Sequence, residues 1–556
     1  MRAAASVHRA NQDVFAAAPP SLLFVSALAD GADQLGAAIA LELGFKLHAI
    51  LPFDRERYRA DLADEEARAA FDALLGRASG VLELPGGPDD ELEPYVVAGL
   101  ATVAHSDVLV AVWDGLPPRG RGGTAEVVDL AIGKAKPVVR VPVDSAAPLD
   151  LRWGAFEPSF VTKADDPATI RPFSADELAG VLATLLEPPR DSREQAFVRE
   201  FQDERRRRWR FRIEYPLLLA VAGISRLKWR HLRPGQSVAE TNEEWRRYRE
   251  ACDRANAVSV PLGPLENSYE WADSLAGHFA QSFRSGHVFN FVLGALAVLL
   301  GTGNLILPRW AIFLESGLFM VVLAILANIW AANRLEWHRR WLDYRQLAER
   351  LRPMRSLKLV AVAAPDPPGT PAYPVPERWV EWYSAALWRA IGCPSGRIDA
   401  RTLGVLTATI AEHEIEPQVA YHHKAARQVG RLDRRLGIVG YIIFSLALVS
   451  STVLLTAFAV APDWVHENYD WFTVISAGLP AIGTAVVGIR VQGDHSASSV
   501  RSEQSAVVLE RIGRRLRAEQ RSLMRAADLT EQAARAMLSD LDEWRLLNQQ
   551  HELSVG

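Results

Sequence analysis

The stretch FVSALADGADQLGAAIALELGFKLHAILPF, residues 24–53, decides the fold class. It begins with a short apolar run and continues through a turn of small residues. An Ala/Leu segment of helical character follows, and then a second apolar run. Strand, turn, helix and strand in that order make one unit of a parallel sheet. Gly31 and Ala32 stand at the mouth of the helix with no bulky side chain beside them. A helix N-terminus has unpaired N–H groups and a partial positive charge, so a phosphate or another anion suits that position.

The pattern repeats outward from this unit. Strands are expected near 22–27, 46–53, 81–84, 107–113 and 137–143. Helices are expected near 33–43, 56–76, 92–104 and 124–134. This alternation predicts a Rossmann-like α/β domain over residues 1–190, with a parallel sheet covered by helices on both faces. Ligands of such sheets bind at the carboxyl ends of the strands. Two turns suit that role. One is SALADGADQ; the other is WDGLPPRGRGGTAEVVDLA, where Gly120, Gly122, Gly123 and Thr124 lead into a helix. Glycines there allow close approach of a ligand to the backbone, and Thr124 can cap the helix or bind a phosphate oxygen. Three readings remain open: a nucleotide-phosphate site, a structural turn, and a dinucleotide-cofactor fingerprint with Asp144 as its acidic residue. The last fits poorly, because GLPPR separates the strand from the glycines. Asp30 and Asp33 are good residues for a helix start. Either would repel a phosphate placed directly beside it, and Asp33 can alternatively bind a ribose hydroxyl or a cation.

The 556 residues are 49% apolar yet 23% charged, and the mean hydropathy is close to zero. That balance predicts soluble parts joined to apolar segments. A net charge of −5 points to neither nucleic acid nor an acidic substrate. Cys252 and Cys393 have no metal-ligand spacing and give no disulfide framework. The N-terminal MRAAASVHRANQDVF reads as helix and has no long apolar core, so no signal peptide is expected.

Four segments approach the length of a membrane span: residues 288–307, 310–332, 437–461 and 471–489. They predict two transmembrane hairpins, 286–332 and 437–490, in an all-α membrane region. A linker over 191–285, a helical domain over 333–436 and a tail over 491–556 complete the chain. Arginines follow the second span and precede the third, whereas PDWVHENYD between the third and fourth has no Lys or Arg. The positive-inside rule then places both termini and the 333–436 region in the cytoplasm of an inner membrane. Trp310, Trp330, Trp464, Tyr469 and Trp471 sit near span ends, as interfacial aromatics do.

Each hairpin is followed by a charged amphipathic helix, RWLDYRQLAERLR or SSVRSEQSAVVLERIGRRLR, which makes a weak repeat. Ala477, Ala481, Ala485, Gly483 and Gly488 offer a small-residue face for packing within a hairpin or for self-association. The run ERRRRWRFRIEYPLLLAVAGIS joins six arginines, Arg205 to Arg208, Arg210 and Arg212, to an apolar stretch too short to span. It suits either the anionic inner leaflet or a buried segment beside a solvated face. The spans contain Asn290, Asn304, Glu315 and Asn328, but no central charge pair of the kind transporters use.

VSALADGADQLGAAIALELG, ILPF and WDGLPPRGRGGTAEVVDLA together resemble the SLOG superfamily of Rossmann-like nucleotide-binding domains, which includes relatives of the lonely-guy nucleotide phosphoribohydrolases. ADSLAGHFAQSFRSGHVFN, RWLDYRQLAERLR and EIEPQVAYHHKAAR resemble SLATT-type membrane effectors of bacterial conflict systems. The resemblance implies a nucleotide-derived ligand at Ser26, Gly31, Ala32, Asp33, Gly122, Gly123 and Thr124. It also implies a membrane response and self-assembly, with no resident cofactor. The hydrolases of the superfamily carry a catalytic glutamate three residues after the loop threonine. That position is Val127 here, and Glu126 stands one residue early, which turns it by about 100° around a helix. Binding without turnover is therefore the favoured expectation. A membrane-anchored hydrolase using Glu126 and a ligand-free oligomerising scaffold are the alternatives. The superfamily also begins with an apolar strand ending in a Gly-His-Arg-like turn, which is not found ahead of residue 20.

Overall fold

A computed structural model describes residues 1–86, 93–118, 121–144, 146–157, 166–206, 209–233, 235–255, 258–367, 375–493 and 495–548. Gly120 and residues 368–374, within the proline-rich stretch 361–376, lie outside the described residues.

The strands are β1 (Leu23–Ser26), β2 (Lys46–Leu51), β3 (Gly80–Glu83), β4 (Leu109–Val112), β5 (Val138–Val141), β6 (Asp150–Arg152), β7 (Ile170–Pro172), β8 (Val258–Ser259) and β9 (Ser395–Arg397). The N-terminal helices are α1 (Arg2–Ala10), α2 (Ala32–Glu42), α3 (Arg55–Asp61), α4 (Glu65–Arg77), α5 (Glu93–His105), α6 (Thr124–Gly133), α7 (Ala175–Leu186), α8 (Ser192–Asp203), α9 (Glu214–Val221) and α10 (Gly235–Ala255). Then come α11 (Gly263–Gly303), α12 (Ala311–Arg334), α13 (Trp337–Leu351), α14 (Met354–Leu359), α15 (Trp379–Ala390), α16 (Ala400–Ile410), α17 (Glu416–Val460), α18 (Pro462–Gln492), α19 (His495–Ala518) and α20 (Leu523–Asn548).

The N-terminal part is an α/β domain with mostly parallel sheets, and an all-helical region follows. The five expected strands are present, but they divide between two sheets. One has the order β1-β2-β3-β9-β8 and the other β4-β5-β6-β7. β1, β2, β3 and β9 run parallel, and β8 is antiparallel to β9. β2 is buried along all but its first residue, which fits the centre of a parallel sheet. β3 continues the sheet with β9, a strand from far along the chain, and not with β4. The expected helix over 56–76 is two helices. Leu62 adopts an extended conformation and enters the core, and Asp64 caps α4 by accepting from the N–H of Ala67 at 2.9 Å.

One apolar core runs through both parts. Ile50 and Leu82 of the sheet and Val97 of α5 are continuous with Trp245, Tyr269 and Trp379 of the helical region. Four helical stretches, carried by α11, α12, α17 and α18, are long and apolar enough to cross a membrane. Both charged helices of the expected repeat are present, as α13 and α19. PDWVHENYD, read from sequence as a connection, is the start of α18: the chain turns at Ala461, and Pro462 and Asp463 suit a helix N-terminus. The small residues of α18 serve packing inside the chain. Gly488 faces Phe291 and Gly478 faces Leu299 of α11, and Gly483 faces Phe444 of α17. Asn328 donates to Asn290 Oδ1 at 2.8 Å and to the Gly286 carbonyl at 3.2 Å, so these amides tie α12 to α11.

Candidate functional site

The β1–α2 turn is organised by its own side chains. Ser26 Oγ donates to Asp33 Oδ2 at 3.2 Å and accepts from the N–H of Leu28 at 3.0 Å. Leu28 is fully buried and sits at φ 57°. The N–H groups of Ala29 and Ala27 also face the Asp33 carboxylate. Burial raises the pKa of Asp33, and these bonds oppose the rise. Asp33 therefore fastens the turn and does not cap the helix. Gly31 holds the N-cap position at φ 85° with no side-chain cap, and nothing lies within 4 Å of where a Cβ would stand. Gly31 and Ala32 are exposed. The first N–H groups of α2 thus open toward solvent, beside a carboxyl whose charged form burial disfavours.

The β4–α6 turn has a similar opening. Gly123 is the N-cap of α6 without a side-chain cap, Gly122 adopts φ 78°, and Gly123 and Thr124 are exposed. Glu126 is turned back on this loop, where Oε2 accepts from the N–H of Gly122 at 2.5 Å. Val127 faces inward, with its Cγ2 2.8 Å from where a Cβ on Gly99 of α5 would stand. Asp144 accepts from the N–H of Ala146 at 2.9 Å, a turn contact within its own loop.

These residues form two clusters. Ser26, Gly31, Ala32 and Asp33 gather at the end of β1, and Gly122, Gly123, Thr124 and Glu126 gather after β4. The two strands lie in different sheets, and among the described residues no hydrogen bond joins the clusters.

A third feature lies at the carboxyl ends of β2, β3 and β9. An open cleft of about 410 Å³ is lined by Asp54, Arg55, Glu56, Val81, Glu83, Gly396 and Arg397. Arg55 Nε donates to Glu83 Oε1 at 2.7 Å, and Arg397 Nη1 lies 2.8 Å from Asp54 Oδ2. Both arginines keep more than half of their side chains exposed, so each can also meet an anion in the cleft. Asp54 was not among the expected site residues, although it follows ILPF directly and its place after a strand could be read there. The place of Arg397 could not be read, because that residue reaches the cleft only through the pairing of β9 with β3.

The seam between the sheet and the helical region is polar at its centre. His48 Nε2 lies 3.0 Å from the carbonyl oxygen of Pro394, just before β9. Lys358 Nζ donates to the Gly392 carbonyl at 2.6 Å and to His105 Nδ1 at 3.2 Å, and it sits 3.6 Å from the centre of the Trp388 ring. His105 Nε2 donates to the Ala361 carbonyl at 2.7 Å, which fixes the neutral tautomer. Burial brings Lys358 down to about 7 and His48 down to about 4, and holds His105 well below its ordinary value.

Compared with family models, with curated proteins and with solved structures, the chain matches none.

Proposed function

We propose that this protein is a ligand-responsive membrane effector of bacterial defence or stress signalling. Its α/β domain senses a nucleotide-derived signal, and its helical region answers by pore formation or another perturbation of the membrane. One observation carries this reading. β9 is hydrogen-bonded to β3 inside the sensor sheet, and it leads through α16 straight into α17, which carries the third membrane-length helix. A ligand that shifts β9 therefore acts on a membrane helix without an intervening flexible link. The shift requires the ligand to bind one arrangement more tightly than the other.

The resemblance to SLOG domains supplies the ligand class. The open N-termini of α2 and α6 and the arginines of the cleft supply suitable anion contacts. The charge asymmetry of the sequence supports cytoplasmic termini in an inner membrane. Four spans per chain are few for a pore, so a pore would be built by several copies. Hydrolysis of the ligand is the weaker reading. Val127 occupies the place of the catalytic glutamate in the related hydrolases and packs against α5, and Glu126 is held by its own loop.

The test uses the full chain in lipid nanodiscs, because a fragment ending near residue 190 lacks β8 and β9. NAD, ADP-ribose, its cyclic forms, nucleoside monophosphates and cyclic oligonucleotides are added singly, and unfolding and product formation are followed together. A sensor is stabilised by about 2.7 kcal/mol when a ligand is present at 100 times its dissociation constant, and it yields no product. Product formation that disappears in Glu126→Gln selects the hydrolase reading. No stabilisation by any of these compounds, with stable self-assembly, selects a scaffold.

A further inference from the structure

Residues 209–233 lie against one end of the membrane-length helices. On one side Tyr215, Leu218, Leu219, Ala222 and Ile224 pack on Val288 of α11, Leu432 and Leu436 of α17, and Ile489 of α18. The segment is pinned at several points. Gln281 Nε2 of α11 donates to the carbonyls of Arg212 at 2.6 Å and His231 at 2.8 Å, which draws the two arms of the segment to one place. Tyr215 N–H donates to Ser285 Oγ at 3.1 Å, and Arg435 of α17 donates to the carbonyl of Ala222.

Among the described residues, nothing covers the large apolar side chains of the other side. Phe211 is 86% exposed, Val221 81% and Trp229 64%, and Leu217 and Leu227 are exposed beside them. Arg226, Lys228 and Arg233 are exposed among these apolar groups. Glu214 is the one acidic residue of the segment, and it is paired with Arg212 at 2.9 Å. Two of the arginines singled out in the sequence turn inward, whereas Arg205 and Arg206 are exposed. Arg210 is buried against α11, and Arg212 reaches inward to Asn328 Oδ1 at 2.6 Å.

Large apolar side chains and cations, with the segment's single acid paired to Arg212, suit the boundary between headgroups and acyl chains of an anionic leaflet. The surface is continuous with helices that are themselves suited to a bilayer. A solvated position would leave Phe211 and Val221 in water with nothing to offset the cost. We propose that residues 209–233 form an interfacial membrane anchor on the side of the α/β domain. Phe211, Leu217, Val221, Leu227 and Trp229 enter the lipid, and Arg226, Lys228 and Arg233 bind anionic headgroups. The proposal rests on the four apolar helices spanning a bilayer and is independent of what the α/β domain binds. The anchor ties to the lipid surface the strand of chain that connects the α/β domain with α11.

The test places an environment-sensitive fluorophore at Val221→Cys in the full chain, with Cys252→Ala and Cys393→Ala, in nanodiscs. A second label at Glu65→Cys, on the exposed face of α4, reports a solvated position. The Val221 label is expected to lose fluorescence to nitroxide-bearing lipids and to resist aqueous iodide, while the Glu65 label does the reverse. A Val221 label quenched by iodide like the Glu65 label, and untouched by nitroxide lipids, overturns the anchor. Raising the fraction of phosphatidylglycerol is expected to shift the Val221 emission to the blue. Arg226→Gln, Lys228→Gln and Arg233→Gln together should flatten that response. An unchanged response in the triple variant overturns the headgroup contacts.

Discussion

Glu83 and Arg397 stand opposite each other in parallel register, although two membrane-length helices lie between them in the sequence. The pairing makes the end of the first sheet a joint product of the α/β and helical parts. Gly80, at the start of β3, has no room for a side chain. A Cβ there would stand 2.5 Å from Ser395 Oγ and 2.6 Å from His48 Nδ1. Gly80→Ala is therefore expected to loosen the β3–β9 seam and destabilise the fold by about 1–3 kcal/mol. Hydrogen exchange at 395–397 should rise in the same variant. Adding Ser395→Gly removes one of the two obstacles and should recover part of the loss.

The seam also predicts a pH dependence. His48 has a folded pKa of about 4, below its unfolded value, and His105 is depressed as well. Between about pH 6.5 and 4 these two histidines bind more protons in the unfolded chain than in the folded one, so their contribution to stability falls as pH falls through that window. His48 alone contributes up to about 3 kcal/mol of this loss. Lys358, at about 7 when folded, works in the alkaline range. Between about pH 7 and 10.5 the unfolded lysine again holds more protons, so stability rises with pH there. Urea midpoints measured at pH 5, 7 and 9 should increase in that order. In Lys358→Met the rise between 7 and 9 should shrink, whatever its effect on absolute stability.

The residues that were legible in the sequence are those whose signals are local. β1 to β5 and the helices around them follow from apolar runs broken by Gly, Pro and Asp. The four membrane-length helices follow from length and composition alone. The short strands β8 and β9 are too brief to give any periodicity; β3 offers an edge to β9, and β9 in turn offers one to β8. For that reason the division into two sheets and the cleft containing Arg397 were hidden. Asp33 shows a subtler limit. Its type and position fit a helix cap, but the buried Ser26 hydroxyl competes for its carboxylate and makes it a fastener of the turn. The polar character of PDWVHENYD suggested a loop, whereas Pro and Asp at its start favour helix.

A buried ion pair supports the entry to α17. Glu414 lies in a π-helical turn, Ala411–Ile415, just before that helix. It accepts from Arg355 Nε at 2.5 Å and from Ser356 Oγ at 3.1 Å, and Arg355 also donates to Glu244 at 2.9 Å. Both side chains of the pair are almost wholly enclosed. Glu414→Gln leaves a buried guanidinium short of its counter-charge and should destabilise the protein by about 3–5 kcal/mol. Arg355→Met combined with Glu414→Leu removes both charges and should come much closer to the parent in a denaturation series. Equal losses in the single and double variants would mean that the pair sets the local geometry beyond its charge.

The two hairpins meet through Gly488 of α18 and Phe291 of α11. A Cβ at Gly488 would stand 2.2 Å from the Phe291 ring, closer than any real contact. Small residues in lipid serve close approach of helices, and here the approach is within one chain. Gly488→Val should push α18 away from α11. Phe291→Ala in the same chain frees the space and should restore the approach. Engineered cysteines at Leu299 and Gly478, which face each other farther along the same helices, report the distance by cross-linking in native membranes. The expected order is efficient cross-linking in the parent, loss in Gly488→Val and recovery in the double variant. If Gly488→Val leaves this cross-link intact but abolishes cross-linking between separate copies, the small-residue face serves self-association instead.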